Sequence, residues 1–321
     1  MGVIDDAYER AASQVAAGLI NPVTGRRYVK SWRVDDLLPF ALDTYRTLEK
    51  KLGISVYQEL NIIRSLFNHR EENDWLARSG EPGYEKYLMD EVDLGSYADY
   101  TEPVFSYGEV KHCAQVDLAG LTKTYREKLR EENRLLETVF DYNALEILEG
   151  GVHYGDWEAD TLIFCEGARG KENPFFNYVP FQVAKGEVLV IKIPDATFDK
   201  IFKHRVFIIP MGNELYWVGS TYNWEYEDDL PTEEGRTFLE ERLRDILKTP
   251  FTVVEHRASI RPTVKDRRPF LGRHPSYNQL ALFNGLGTKG TSLAPFWARH
   301  LAEYLVESQP LDVAVDIERF E

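Results

Sequence analysis

The apolar run Leu280-Ala281-Leu282-Phe283 leads, one residue later, into Gly285-Leu286-Gly287-Thr288-Lys289-Gly290, and a helix-like segment follows from Thr291. A strand that turns through G-x-G-x-x-G into a helix is the dinucleotide-binding pattern: the glycines permit a tight turn and close backbone approach, and the helix N-terminus receives a pyrophosphate. A complete dinucleotide half-domain needs βαβαβ, whereas the chain after Gly290 has room for one helix and a short strand. That shortage weighs against a self-contained NAD site. Two readings compete with it. One is a glycine-rich corner that only closes a strand-helix turn; the other is a helix N-terminus whose N–H groups and dipole serve an anionic cofactor held mostly by other parts of the chain. Leu293, Trp297, Leu301 and Leu305, spaced four apart, predict that the helix is buried along one stripe.

Upstream, residues 237–248 have helical spacing, and residues 186–224 carry two β-rich runs with Met211-Gly212-Asn213-Glu214 as a hairpin turn. The stretch Ala159 to Ala168 is a short apolar run that stops at glycine, the pattern of a buried strand ending in a ligand-facing turn. Asp117 opens a helix with Leu118, Leu121, Tyr125 and Leu129 on one face, and residues 136–148 read as strand. Ala41, Tyr45, Leu48 and Leu52 mark a helix over 35–52 that Gly53 stops. Residues 54–110 read as short elements joined by loops such as Ser79-Gly80-Glu81-Pro82-Gly83, and Val3-Ile4-Asp5-Asp6 reads as the tail of a strand. Parallel-type strands at both ends of the chain with an antiparallel block between them predict an α/β fold: a discontinuous Rossmann-like nucleotide-binding domain with an inserted antiparallel-sheet α+β domain.

The 321 residues are 43% hydrophobic and 28% charged, a globular composition long enough for two domains. The net charge of −15 opposes a general nucleic-acid partner, whose binding rests on neutralising phosphates. The two cysteines, Cys113 and Cys165, form no disulfide framework and no C-x-x-C pair, which suits a reducing compartment, and the cytoplasm is expected. No secretory h-region and no membrane-spanning apolar run occur. His112, His153 and His204 lack metal-ligand spacing and are read as structural or surface residues.

The segment from His256 through Arg261-Pro262 to Gly272-Arg273-His274-Pro275, with the glycine loop and Ala294-Pro295 after it, resembles the C-terminal part of the D-amino-acid oxidase superfamily of flavoproteins, its glycine oxidase-like members most closely. Ala12-Ser13-Gln14-Val15-Ala16-Ala17-Gly18-Leu19 is similar to that family's flavin-contacting stretch, and Thr161 to Ala168 to its strand ending in Gly-Ala beside the flavin. Three departures stand out: Ser259 where the family has Gly, Arg169 where an aromatic residue follows Gly-Ala, and no N-terminal strand-GxGxxG-helix within these residues.

The resemblance implies noncovalent FAD and a Rossmann-like FAD-binding domain over 1–53, 110–178 and 255–321, with a substrate domain over 54–109 and 179–254. It gives Asp5 the adenosine ribose; Ser13, Ala17 and Gly18 the pyrophosphate and isoalloxazine; and Gly167 and Ala168 a place beside the flavin. Gly285, Gly287, Lys289, Gly290 and Thr291 would turn N–H groups and a cation toward the flavin pyrimidine. Arg261 would hold a substrate carboxylate through two charge-assisted bonds, with Tyr216 and Tyr222 as pocket residues, although strand aromatics equally suit a sheet face. The implied reaction is hydride transfer from a small amine or amino acid, followed by hydrolysis of the imine. A flavin-dependent tRNA-modification oxidase, with Arg26, Arg27, Lys30 and Arg33 as its footprint, is one alternative, and a truncated flavin-free relic or binding protein is another. The start inside what looks like a second strand predicts a natural reading frame beginning some 30 to 40 residues earlier, the length of a strand, glycine turn and helix, and weak or no FAD binding by these residues alone. The electron acceptor and the oligomeric state stay open.

Overall fold

The computed structural model describes residues 1–320, which divide into two compact units: Met1–Gln14, Ala119–Ala184 and Ile260–Glu321 in one, Val15–Leu118 and Lys185–Ser259 in the other. By contact, residues 179–184, expected in the substrate domain, group with the first unit, and residues 15–53, 110–118 and 255–259, expected in the cofactor domain, with the second. The reason is apolar: Val15, Val23, Tyr28, Val34 and Val110 are buried in the core of that unit's sheet.

In the first unit, Val3–Ile4 pairs in parallel with Leu135–Leu136. Separately, Leu162–Phe164 pairs in parallel with Leu280–Asn284, whose other edge takes Phe270–Arg273 antiparallel. Among the described residues no strand hydrogen-bonds to both sheets. The strand expected over 136–148 is two pieces. Asp141 caps a 3-10 turn at Tyr142–Ala144, and Leu145–Leu148 then starts an antiparallel meander with Gly151–Tyr154 and Trp157–Ala159. Phe164, Phe176, Phe270, Leu280, Leu282 and Ile317 form the core. The helix after the glycine loop runs Gly290–Glu307 and buries Leu293, Trp297 and Leu301; Leu305, in its last turn, is half-buried.

The second unit is built on an eight-stranded sheet in the order Thr252–Arg261, Ala184–Lys192, Leu215–Gly219, Phe207–Gly212, Ile201–Lys203, Ile62–Leu66, Ser106–Val110, Leu88–Met89. Its central strands are covered on both faces, which is why they read as continuous apolar runs: Ile62, Ile201, Ile209 and Trp217 join one core, and Ile63, Phe202, Ile208 and Tyr216 the other. The expected hairpin turn forms at Asn213 and Glu214, both left-handed with φ 52 and 61, as a two-residue turn between twisted strands requires. The helix Val34–Leu52 has acidic residues in its first turn and lysines in its last, and Gly53 at φ 68 closes it with an N–H donated to the Glu49 carbonyl. Where short elements joined by loops were expected, a helix of three turns forms at His69–Ser79; Asn68 accepts from the Glu71 N–H at 3.0 Å, and Trp75 is its one buried residue.

The three histidines lie apart. His112 sits edge-on to Tyr87, His153 lies 3.4 Å from Glu146, and His204 Nδ1 is 3.1 Å from Ser65 Oγ with its ring against Phe67. Burial, helped by Arg205, lowers the His204 pKa from 6.5 to about 4. Between those values the unfolded chain binds a proton that the folded chain does not, so stability falls as pH drops through 6.5 toward 4. Urea midpoints at pH 7, 5.5 and 4.5 should decline in that order, and His204→Gln should flatten the decline.

Candidate cofactor and substrate site

One of the two parallel strand pairs of the first unit ends side by side in glycine turns. Leu162–Phe164 runs on to Gly167 at φ 58, and Leu280–Asn284 runs directly into Gly285 at φ 74 and Gly287 at φ 58. These left-handed positions favour glycine, and they stand at the carboxyl ends of parallel strands, where open α/β sheets bind ligands. Asn284 ties the two turns together. Buried at the end of its strand, it donates from Nδ2 to the Gly167 carbonyl at 2.9 Å and accepts the Gly285 N–H at 2.8 Å. Sequence reading passed over it, and the available signal was a polar residue closing an apolar strand just before the glycines.

The hydrogen bonds around the loop revise the expected roles of its glycines. Gly285 N–H goes to Asn284, and Gly287 N–H goes to the Pro262 carbonyl at 3.1 Å, so neither is turned to a ligand. The amides of Leu286, Thr288 and Gly290 are the ones with no protein acceptor among the described residues. The glycines supply the backbone shape, and their neighbours supply the donors. Lys289 is half-buried beside the start of the helix, and burial, with Arg267 and Arg268 nearby, lowers its pKa. A cation and unpartnered amides at a helix N-terminus suit an electron-rich group. An added Cβ at Gly167 would meet nothing within 4 Å, so open space adjoins the turn. These residues fit a bound FAD.

Arg261 ends the Thr252–Arg261 strand half-buried, and the bond between Gly287 and Pro262 sets the glycine loop against its neighbour in sequence. Asp5 follows Val3–Ile4, pairs with Arg126 and accepts the Ala7 N–H. Arg169, which departs from the family pattern, is paired with Asp6 at 2.6 Å and lies 3.8 Å from the centroid of the Tyr8 ring, joining the turn after Leu162–Phe164 to the turn after Val3–Ile4. Ala168 lies in the short 3-10 turn that Gly167 opens, Thr291 is buried in the first turn of the long helix, and Ser13 lies in the turn Ala12–Val15.

Ala17, Gly18, Tyr216 and Tyr222 belong to the second unit. Gly18 has φ 66, and a Cβ there would collide with the Val116 carbonyl, so packing against a strand explains this glycine. Tyr216 is a core residue: its ring is buried and its hydroxyl donates to the Ala196 carbonyl at 2.8 Å, because alternation turns it to the face opposite Trp217. Tyr222 is exposed, edge-on to Trp224 at 5.0 Å. Ser259 is buried in its strand.

Asn284→Asp keeps the shape of the side chain but removes the donor to the Gly167 carbonyl. The unsatisfied acceptor costs about 1–3 kcal/mol and the buried carboxylate facing a carbonyl adds to it, so a loss of at least that size is expected in urea denaturation at pH 7.

A glycine oxidase from Pseudomonas aeruginosa is 25% identical over 162 residues, which are 49% of this chain and 44% of that protein, so the matched stretch spans less than half of the relative's length. Among solved structures, glycine oxidase from Geobacillus kaustophilus superposes with a TM-score of 0.78 at 20% identity, over 99% of this chain and 90% of that one. Iminodiacetate oxidase from Chelativorans sp. BNC1 superposes at 0.73 with 19% identity, over 99% and 91%. The fold is the one these proteins share. The family model for FAD dependent oxidoreductases matches residues 3–304, and the chain belongs to that family.

Proposed function

We propose that the protein oxidises a small amine or amino acid at its CH–NH bond with FAD as the acceptor. The observation that carries this is the pair of parallel strands ending in left-handed glycines, joined by Asn284 and opening into a helix N-terminus with unpartnered amides beside Lys289. FAD held there would supply a hydride acceptor for the carbon that bears the amine, and the imine left behind would be hydrolysed by water. The protein's own groups orient and tune. Arg261 holds the substrate carboxylate in its planar fork, which fixes the reacting carbon. Lys289 and the amides of Leu286, Thr288 and Gly290 oppose negative charge developing on the acceptor, and Asp5 accepts from the ribose. With the amine bound neutral, no strong general base is needed. The similar glycine and iminodiacetate oxidases support a substrate that carries both an amine and a carboxylate.

The protein should be titrated with FAD and assayed with glycine, other small amino acids and simple amines, using oxygen or a dye as acceptor. Saturable flavin binding and oxidation of at least one amine are expected. Flavin binding with no amine oxidised, or no binding at all, overturns the proposal for this chain. Arg261→Leu should weaken carboxylate-bearing substrates by about 2 to 5 kcal/mol, seen as a raised KM, while FAD binding is retained.

A further inference from the structure

Arg64 and Lys203 face each other in register across the parallel pair Ile62–Leu66 and Ile201–Lys203, inside the second unit. Their alternation partners Ile62, Leu66 and Ile201 are core residues of the sheet face that Val15 and Trp217 share, which puts both cations on that face. Both are half-buried. The Arg64 guanidinium lies 4.7 Å from the Tyr28 ring centroid; Lys203 Nζ lies 4.2 Å from that of Phe207 and donates to the Arg205 carbonyl at 2.8 Å. Neither has a carboxylate within ion-pair distance among the described residues. Glu71 is the acid whose field reaches Arg64, but its Oε2 is engaged by the Phe67 N–H at 3.0 Å. Burial lowers both basic groups, and the field of Arg64 lowers Lys203 further, to about 8. Two like charges held together in partly desolvated surroundings destabilise each other unless an anion joins them.

We propose that Arg64 and Lys203 bind a carboxylate group of a small ligand, the guanidinium and ammonium donating to its oxygens between the rings of Tyr28 and Phe207. The carboxylate belongs to a small organic acid held within the second unit. The amine of Lys203 reports occupancy directly, because an anion beside it keeps it protonated and slow toward acylating reagents.

Malonate is the probe. Labelling of Lys203 by an amine-reactive reagent at pH 8, read by mass spectrometry, should slow severalfold with malonate and not with chloride at equal ionic strength. Calorimetric malonate affinity should fall about tenfold or more in Arg64→Met and Lys203→Met, and Lys203→Arg should recover part of it. A urea midpoint at or above the parent's shows that the variants fold. Malonate that protects no better than chloride, or equally well in Arg64→Met, overturns the proposal. Protection without oxidation of any amine would end the oxidation reading and leave the anion site standing.

Discussion

The side chain of Asn284 connects two turns 117 residues apart in sequence, donating to the Gly167 carbonyl at the end of one parallel strand and accepting the Gly285 N–H at the end of the next. A parallel pair cannot be closed by a short loop, so its register needs other support where the strands are only three to five residues long. One amide group meets that need and shapes the backbone at the carboxyl ends of the strands at the same time. The close approach is general there: a Cβ at Gly170 would meet the Asn284 amide, and one at Gly285 would press on the Phe270 ring. The amides of Gly285 and Gly287 are satisfied within the protein, which leaves those of Leu286, Thr288 and Gly290 without a protein acceptor among the described residues.

A buried carboxylate plays the comparable part in the second unit. Glu187, on the Ala184–Lys192 strand, accepts from the Thr232 hydroxyl and N–H at 2.8 Å each and lies 2.9 Å from His256 Nε2. Thr232 caps the helix Glu233–Arg244, and Gly235 has no Cβ because one would collide with the Glu187 carboxylate. A buried acid is costly unless its oxygens are satisfied, and here the hydroxyl and N–H of Thr232 at a helix N-terminus satisfy them, with the buried Lys185 ammonium 3.9 Å away. The helix is thereby fixed over the face that buries Tyr216, Leu239 and Leu243. The opposite face carries Arg64 and Lys203, half-buried cations that no acid among the described residues neutralises within ion-pair distance. The acid has its partners within the protein, and for the two cations we propose a ligand.

Local pattern made a good part of this molecule legible. The helix over Val34–Leu52 with its glycine stop, the Asn213-Glu214 hairpin, the buried stripe Leu293, Trp297 and Leu301, and the strand entering the glycine loop all follow from periodicity and turn chemistry among near neighbours. The helix His69–Ser79 escaped because a single buried residue, Trp75, produces no stripe to detect. The strand over 136–148 was drawn too long because the Asp141 cap interrupts an apolar run that looks continuous.

The sequence by itself determined which backbone shapes were available: left-handed glycines at 167, 285 and 287, a helix beginning at Gly290, and apolar strands on either side of an antiparallel block. Those properties belong to each residue and its close neighbours in the chain. Tertiary structure alone decided which N–H groups the glycine loop spends on Pro262 and Asn284, that Gly18 serves packing against Val116, that Tyr216 turns into the core, and that Arg64 and Lys203 stand side by side. Each of these depends on a partner brought close by strand pairing across a long stretch of chain, and local spacing carries no record of such a partner.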